Sequence, residues 1–415
     1  MTPDLLVLYE DENWKSLWPL SATRPVWDLR LGVRCLWEKT RDIWKPLAVA
    51  VESSGNRGRA PIVEAFAARR ELAVEAESEQ ARGSILWWNG AAIPLGAPPD
   101  AGPTLTEGVR LVDSTGAIVG VWHRAEVPSA RAMALTKAGA PLPSDWRELP
   151  CEVVWVRQLW DLLTLLDHEI DRDVQALGDP GGTPTLPNVH LLGTRISVAR
   201  DVRIDPGCVL DARPGPIVIA EGASLAPFTH LEGPAIIGES TQLLGGRLSR
   251  VALGPQCRVG GEVEATIFRG YANKRHQGFL GHAVVGEWVN LGALTTNSDL
   301  KNTYGAVRVW VEGKERDSGE SKVGCFIGDH VKTGIGTLIA TGAVIGPGSN
   351  LFAGGQFTPK HVPGWSWWDG ERAEAHAWDK FIETARTAMG RRERELTPTE
   401  EAALRAAWEA GPRTR

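Results

Sequence analysis

The stretch CFIGDHVKTGIGTLIATGAVIGPGSNL, residues 325–351, decides the fold. Taken in sixes, it sets Ile327, Thr333, Ile339, Ile345 and Leu351 in one series. Cys325, Val331, Thr337, Ala343 and Ser349 stand two places before each. A helix repeats its buried face about every 3.6 residues and a free strand about every 2. A period of six fits neither; it fits short strands joined by tight turns, three sides to a coil, as in the hexapeptide β-helix. The rhythm is present earlier in Ile219, Leu225, Leu231, Ile237 and Leu243, preceded by Ile217, Ala223, Thr229, Ala235 and Thr241. Before a slip it runs through Ile196, Val202 and Cys208, and through Val198, Ile204 and Leu210. One coil cannot bury its own inner face, so coils must stack into a prism with a continuous aliphatic core.

Around this prism, a length of 415 residues leaves room for two or three domains. The Gly178–Pro184 breaker cluster marks the main boundary. The expected division is an α/β domain over 1–178, the prism over 188–358 and a helical tail over 359–415. In the first part, Leu5–Tyr9, Leu47–Val51, Ile85–Trp88 and Val153–Val156 read as strands, and Leu111–Asp113 with Ile118–Trp122 as a hairpin. Val33–Trp44, Pro61–Arg69 and Leu159–Leu177 read as helices. Inside the prism the rhythm stops between Leu291 and Cys325, with Tyr304–Val311 as one arm of an excursion. In the tail, Trp378, Phe381, Ile382, Ala385 and Met389 share a helical face, Thr397–Glu400 is a capping box, and Trp365, Trp367 and Trp368 read as packing anchors.

A net charge of −6 argues against a nucleic-acid surface, so a phosphorylated ligand would need local cations or backbone amides. Five scattered cysteines without a CxxC pair suggest neither a disulfide framework nor a zinc ribbon. With no leader or membrane span recognised, the expected location is the cytoplasm.

The densest polar constellation is Asn273-Lys274-Arg275-His276-Gln277-Gly278-Phe279-Leu280-Gly281-His282, followed by Gly286–Ala293 and Thr295–Asn302. Here the chain resembles the acetyltransferase half of the GlmU family, the bifunctional UDP-N-acetylglucosamine pyrophosphorylases and glucosamine-1-phosphate N-acetyltransferases. The motifs are His276-x-x-Phe279-Leu280-Gly281, then Asn290-x-Gly292-Ala293, then Asn297. Residues 272–305 are most similar to a GlmU-like branch of sugar nucleotidyltransferases with the pattern SNKxHxGFLGxxxxGEWxNLGAxTxxSxLKNxYG.

The resemblance implies an α/β nucleotidyltransferase-like domain followed by a left-handed parallel β-helix, a homotrimer with sites between prisms, and acetyl-CoA as acyl donor. It implies His276 as general base, Ala293 with Lys332 and Ala353 at the oxyanion and acetyl-CoA end, and Asn290, Asn297 and Phe279 at the sugar. Lys274 and Arg275 are candidates for phosphate. Phe279 stands where the family has tyrosine, and Val263–Thr266 where a lysine is expected, so the acceptor can differ from glucosamine 1-phosphate.

The first strand leads to Glu10–Asn13 rather than to the family's glycine-rich phosphate loop, and Asn89 stands where a metal-binding aspartate is expected. Mg²⁺ would therefore matter only to an active nucleotidyltransferase domain. Arg24 and Arg30 are the phosphate candidates there, with ion pairing as the structural alternative. A zinc site through His276, His282 and His330 is disfavoured, because 276 and 282 are six apart, on successive sides of a coil. Three functions stay open: acyl transfer to an amino sugar, sugar-1-phosphate nucleotidyl transfer, and a non-enzymatic scaffold that binds a sugar nucleotide.

Overall fold

The computed structural model describes residues 2–53, 57–74, 83–96, 108–124, 129–137, 139–144, 146–178, 187–352 and 354–411. The amino-terminal part is a seven-stranded sheet. Its strands are β1 (Leu5–Tyr9), β2 (Ala48–Val51), β3 (Ala73–Val74), β4 (Ser84–Asn89), β5 (Gly108–Val112), β6 (Ile118–Arg124) and β7 (Arg147–Pro150), in the order β7-β5-β6-β4-β1-β2-β3. All of β1, β2, β3 and β4 run parallel, and β6 is antiparallel to both β4 and β5. Helices α1 (Leu36–Trp44) and α2 (Ala60–Arg70) cover it, and the wholly buried Trp44 packs edge-on against Trp88 and Trp122 at 5.3 and 5.6 Å. The single helix expected over 159–177 is two pieces, Asp161–Thr164 and α3 (Leu166–Leu177). The predicted breaker cluster falls mainly outside the described residues.

Beyond it stands a parallel β-solenoid of about ten turns. Its core is made of inward columns. Ile219, Ile237, Leu253, Phe268, Val285, Ile327, Ile345 and Val362 are successive ladder partners along one of them. Their spacing explains the lost rhythm: the coils from 237 to 253 and from 253 to 268 take 16 and 15 residues instead of 18. The ladder also runs past 358, since His361–Val362 and Ser366–Trp368 pair with the coil before them.

One corner of the solenoid takes a left-handed backbone in coil after coil. Ser240, Gln256, Tyr271, Trp288, His330 and Trp365 have φ between 50° and 60°, and Gly222 and Gly348 in this column are the residue type that favours it. The rings of this corner stack: Tyr271 on Trp288 at 4.4 Å and Trp288 on His330 at 6.4 Å.

Between Leu300 and Lys322, which bridge to each other, the chain leaves the prism as a hairpin of Arg308–Val311 and Lys314–Asp317. Its two-residue turn, Glu312-Gly313, has both φ positive, as a tight hairpin turn requires. The tail forms α4 (Trp378–Gly390) and α5 (Pro398–Ala410), the latter opened by the expected Thr397/Glu400 capping box. Phe381 of α4 packs against His330 and Trp365, while α5 packs on α2, so the tail ties the solenoid to the amino-terminal part.

Candidate active site

The solenoid face beside the stacked corner carries an outward column: Arg258, Asn273, Asn290 and Lys332 are ladder neighbours. Helix α4 crosses in front of it. Between them lies a cleft of about 830 Å³ lined by all four, by Arg275, His276, Ala293 and Trp288, and by Glu383, Thr384, Arg391 and Arg392 from the α4 side. His276 is exposed at its edge. Asn290 is oriented by a relay in which Arg392 Nη2 donates to Asn273 Oδ1 at 2.7 Å and Asn273 Nδ2 donates to Asn290 Oδ1 at 3.1 Å. Lys332 donates to the Trp288 and His330 carbonyls at 2.8 and 3.1 Å, and burial lowers its amine to about 8. The Ala293 carbonyl accepts from Gly336, whereas its N–H makes no hydrogen bond among the described residues.

Other sequence candidates lie elsewhere. Lys274 follows Asn273 in a two-residue strand, so alternation turns it inward, into the column of Leu243, Val259 and Leu351. Its amine escapes the aliphatic surroundings by reaching the Gly260 and His276 carbonyls at 3.0 and 2.5 Å, and burial lowers it to about 8. Asn297 is also buried: its amide accepts from Gly281 N–H and donates to Gly281 O, both at 2.8 Å, and it does not line the cleft. Phe279 pairs with Glu262 on a different side of the coil and does not line the cleft. Ala353 lies outside the described residues. The three histidines of the zinc alternative are not assembled: His282 bonds Asp299 at 2.8 Å, and His330 is buried beneath Trp288, where burial first and Lys332 second depress its imidazole to about 3.

The arginines of the amino-terminal part are corrected as well. Arg24 is buried among Asp28, Glu287 and Asp329, at 3.0 Å from Asp28 and 3.4 Å from Glu287, and Thr23 donates to Asp329. Arg269 of the solenoid joins the same network through Asp28 and Glu287. Burial opposes charge on Glu287, yet Arg24, Arg269 and Arg69 outweigh it and hold the carboxyl far below its usual range. Arg24 is therefore an interdomain tie. Arg30 donates to the Val33 carbonyl and is not in the sheet's crevice.

That crevice is real. β2 and β3 lie to one side of β1 and β4 to the other, and ligands of open α/β sheets bind beyond the strand ends at such a switch point. There a cavity of about 960 Å³ is lined by Tyr9, Glu10, Asp11, Glu52, Lys137 and Arg157, and by Glu312 and Arg316 from the solenoid's hairpin. Glu312 accepts from Ser16 at 2.7 Å. Asp11 caps a short 3₁₀ turn where a phosphate loop would stand. Asn89 donates to Asp11 at 2.9 Å and accepts from Ala91 N–H. No group of three His, Cys, Asp or Glu side chains placed to share a metal ion occurs among the described residues.

Sequence reasoning missed Arg258, Trp288, Glu383, Arg391 and Arg392. Only the ladder register, which hexads alone do not supply, places the first of these on the cleft face.

The chain thus joins an α/β sheet with a switch-point crevice to a β-solenoid with a polar cleft. Residues 6–179 match the sugar nucleotidyl transferase family. The chain is 37% identical over 93 residues to a bifunctional sugar-1-phosphate nucleotidylyltransferase/acetyltransferase of Sulfurisphaera tokodaii, covering 22% of this chain and 23% of that protein. It is 33% identical over 176 residues to the bifunctional protein GlmU of Methylibium petroleiphilum, covering 41% and 33%. With GlmU of Synechococcus elongatus the figures are 29% over 231 residues, 50% and 42%. The chain is similar to GlmU proteins over part of its length, and it spans between about a quarter and two-fifths of the length of these relatives. No helix among the described residues is long and apolar enough to cross a membrane.

Proposed function

We propose that this protein is a transferase of nucleotide-sugar metabolism that moves an acyl group from acetyl-CoA to the amine of a phosphate- or nucleotide-linked amino sugar. The observation that carries the reading is convergence: His276, Asn290 with Ala293, and Lys332 come from three successive coils and line one cleft. His276 takes a proton from the amine as its nitrogen attacks the thioester carbonyl. The new C–N bond forms, the tetrahedral oxyanion is met by the Ala293 N–H, and the C–S bond breaks to release the coenzyme A thiol. Asn290, held by the Asn273–Arg392 relay, orients the sugar.

In this reading the amino-terminal crevice binds a nucleotide sugar without metal-dependent transfer, because Asn89 stands where the family resemblance implies a metal-binding aspartate. A homotrimer in the cytoplasm completes the proposal. The test follows free thiol with acetyl-CoA and a panel of amino-sugar phosphates. Wild type should release thiol, and His276→Ala should lower the rate about 10²- to 10⁴-fold. A His276→Ala protein as active as wild type sinks the proposal.

A second reading, sugar-1-phosphate nucleotidyl transfer, is favoured by the family match over 6–179 and by the switch-point crevice. Pyrophosphate release from a nucleoside triphosphate and a sugar 1-phosphate, without thiol release, would select it.

A further inference from the structure

The cleft between α4 and the solenoid is strongly cationic in a chain of net charge −6. Five cations line it, Arg258, Arg275, Lys332, Arg391 and Arg392, against one acid, Glu383. Lys332 and Arg392 are engaged by carbonyls and by Asn273. Arg258, Arg275 and Arg391 have no acidic partner among the described residues, and Arg258 Nε is buried without a hydrogen bond. Burial, then Arg258, then Arg391 disfavour the charge on Arg392, so these cations stand close enough to repel one another. A folded chain tolerates such a cluster when a counter-charge arrives from outside.

Arg391 and Arg392 follow the carboxyl end of α4, where cations also offset the helix dipole. That explanation does not reach Arg258 and Arg275, which project from solenoid coils. Three unpaired guanidiniums around a cleft of about 830 Å³ exceed what one carboxylate needs, and their planar forks suit phosphate oxygens.

We propose that this seam binds the diphosphate group of its ligand, with Arg258, Arg275 and Arg391 supplying the counter-charge. The proposal rests on the same cleft as the transferase reading and names a feature of its substrate, but it does not require the acyl step. A nucleotide sugar and coenzyme A both carry a diphosphate, and the test separates them.

Titration calorimetry on the full chain uses inorganic pyrophosphate as the probe, with coenzyme A and a uridine diphosphate sugar as competitors. Wild type should bind pyrophosphate. Arg258→Ala and Arg391→Ala should each weaken it about ten-fold or more, and Arg391→Lys less. Arg391 is exposed, so its variants keep the test alive if Arg258→Ala misfolds. Whichever competitor displaces pyrophosphate identifies the source of the diphosphate. Folded wild type that does not bind pyrophosphate overturns the proposal, and so does undiminished binding by Arg391→Ala. Binding as expected with no thiol release in the acyl-transfer assay would remove the transferase reading and leave the diphosphate site standing.

Discussion

Replacing Arg24 by methionine separates the two roles open to it, phosphate ligand and interdomain tie. Arg24 is 2% exposed and faces Asp28, Glu287 and Asp329, with Arg269 the nearest remaining counter-charge. Removing one member of a buried charged network leaves uncompensated charge and costs about 3–5 kcal/mol. Methionine fills much of the volume, so little of that loss is a packing defect. Urea unfolding followed by tryptophan fluorescence at neutral pH should show a loss of about that size, in the transition that separates the sheet from the solenoid.

The loss should depend on pH. Asp28 and Glu287 are held below the usual carboxylate range in the wild type, so their contribution is present above that range and disappears as pH falls through their lowered values. In the variant these carboxyls, buried with less positive charge, take up protons earlier. The gap between the two proteins should therefore narrow as the solution is acidified through the ordinary carboxylate range. A loss under about 1 kcal/mol at pH 7, or a variant of wild-type stability that no longer binds nucleotide sugar, would refute the tie and restore the phosphate role.

Two further substitutions test the corrected residues. Lys274→Met puts an apolar chain in an apolar column and should change stability at neutral pH by no more than about 1 kcal/mol. With the folded amine at about 8 and its ordinary value near 10.5, the unfolded chain binds more protons between them, so wild-type stability should rise across that interval; the variant should lose the Lys274 share of the rise, read by urea unfolding at several pH values. Asn297→Ala breaks both bonds to the Gly281 backbone and should cost about 1–3 kcal/mol in the same measurement, while ligand affinity in the cleft stays unchanged.

The hexad rhythm revealed the solenoid because every side of every coil needs one buried aliphatic, and Ile327, Ile345 and Leu351 meet that need at fixed intervals. It faded where the coils shorten to 16 and 15 residues, and with it went any reading of which outward residues align. Lys274 and Asn297 sit within the polar motif, but a step of one residue along a short strand reverses the face a side chain meets. His276, Asn290, Ala293 and Lys332, named through the family resemblance, line the cleft. The α4 wall was not legible, since only its buried stripe, Phe381, Ile382, Ala385 and Met389, has a periodic signature; what it faces is set by Phe381 docking on His330 and Trp365. Arg24 carried no sign that its partners would be Glu287 and Asp329, far along the chain in the solenoid.

Val285 and Ile327 are ladder neighbours although more than forty positions separate them in the chain. Within that gap one coil carries Asn290 and Asn297, and the rest is the excursion that leaves and rejoins the prism at the Leu300–Lys322 bridge. The excursion delivers Glu312 and Arg316 to the crevice of the other half of the molecule. Variation at its exposed positions can reshape the lining of that crevice, provided Val307, Val309 and Val311 keep their packing against the solenoid.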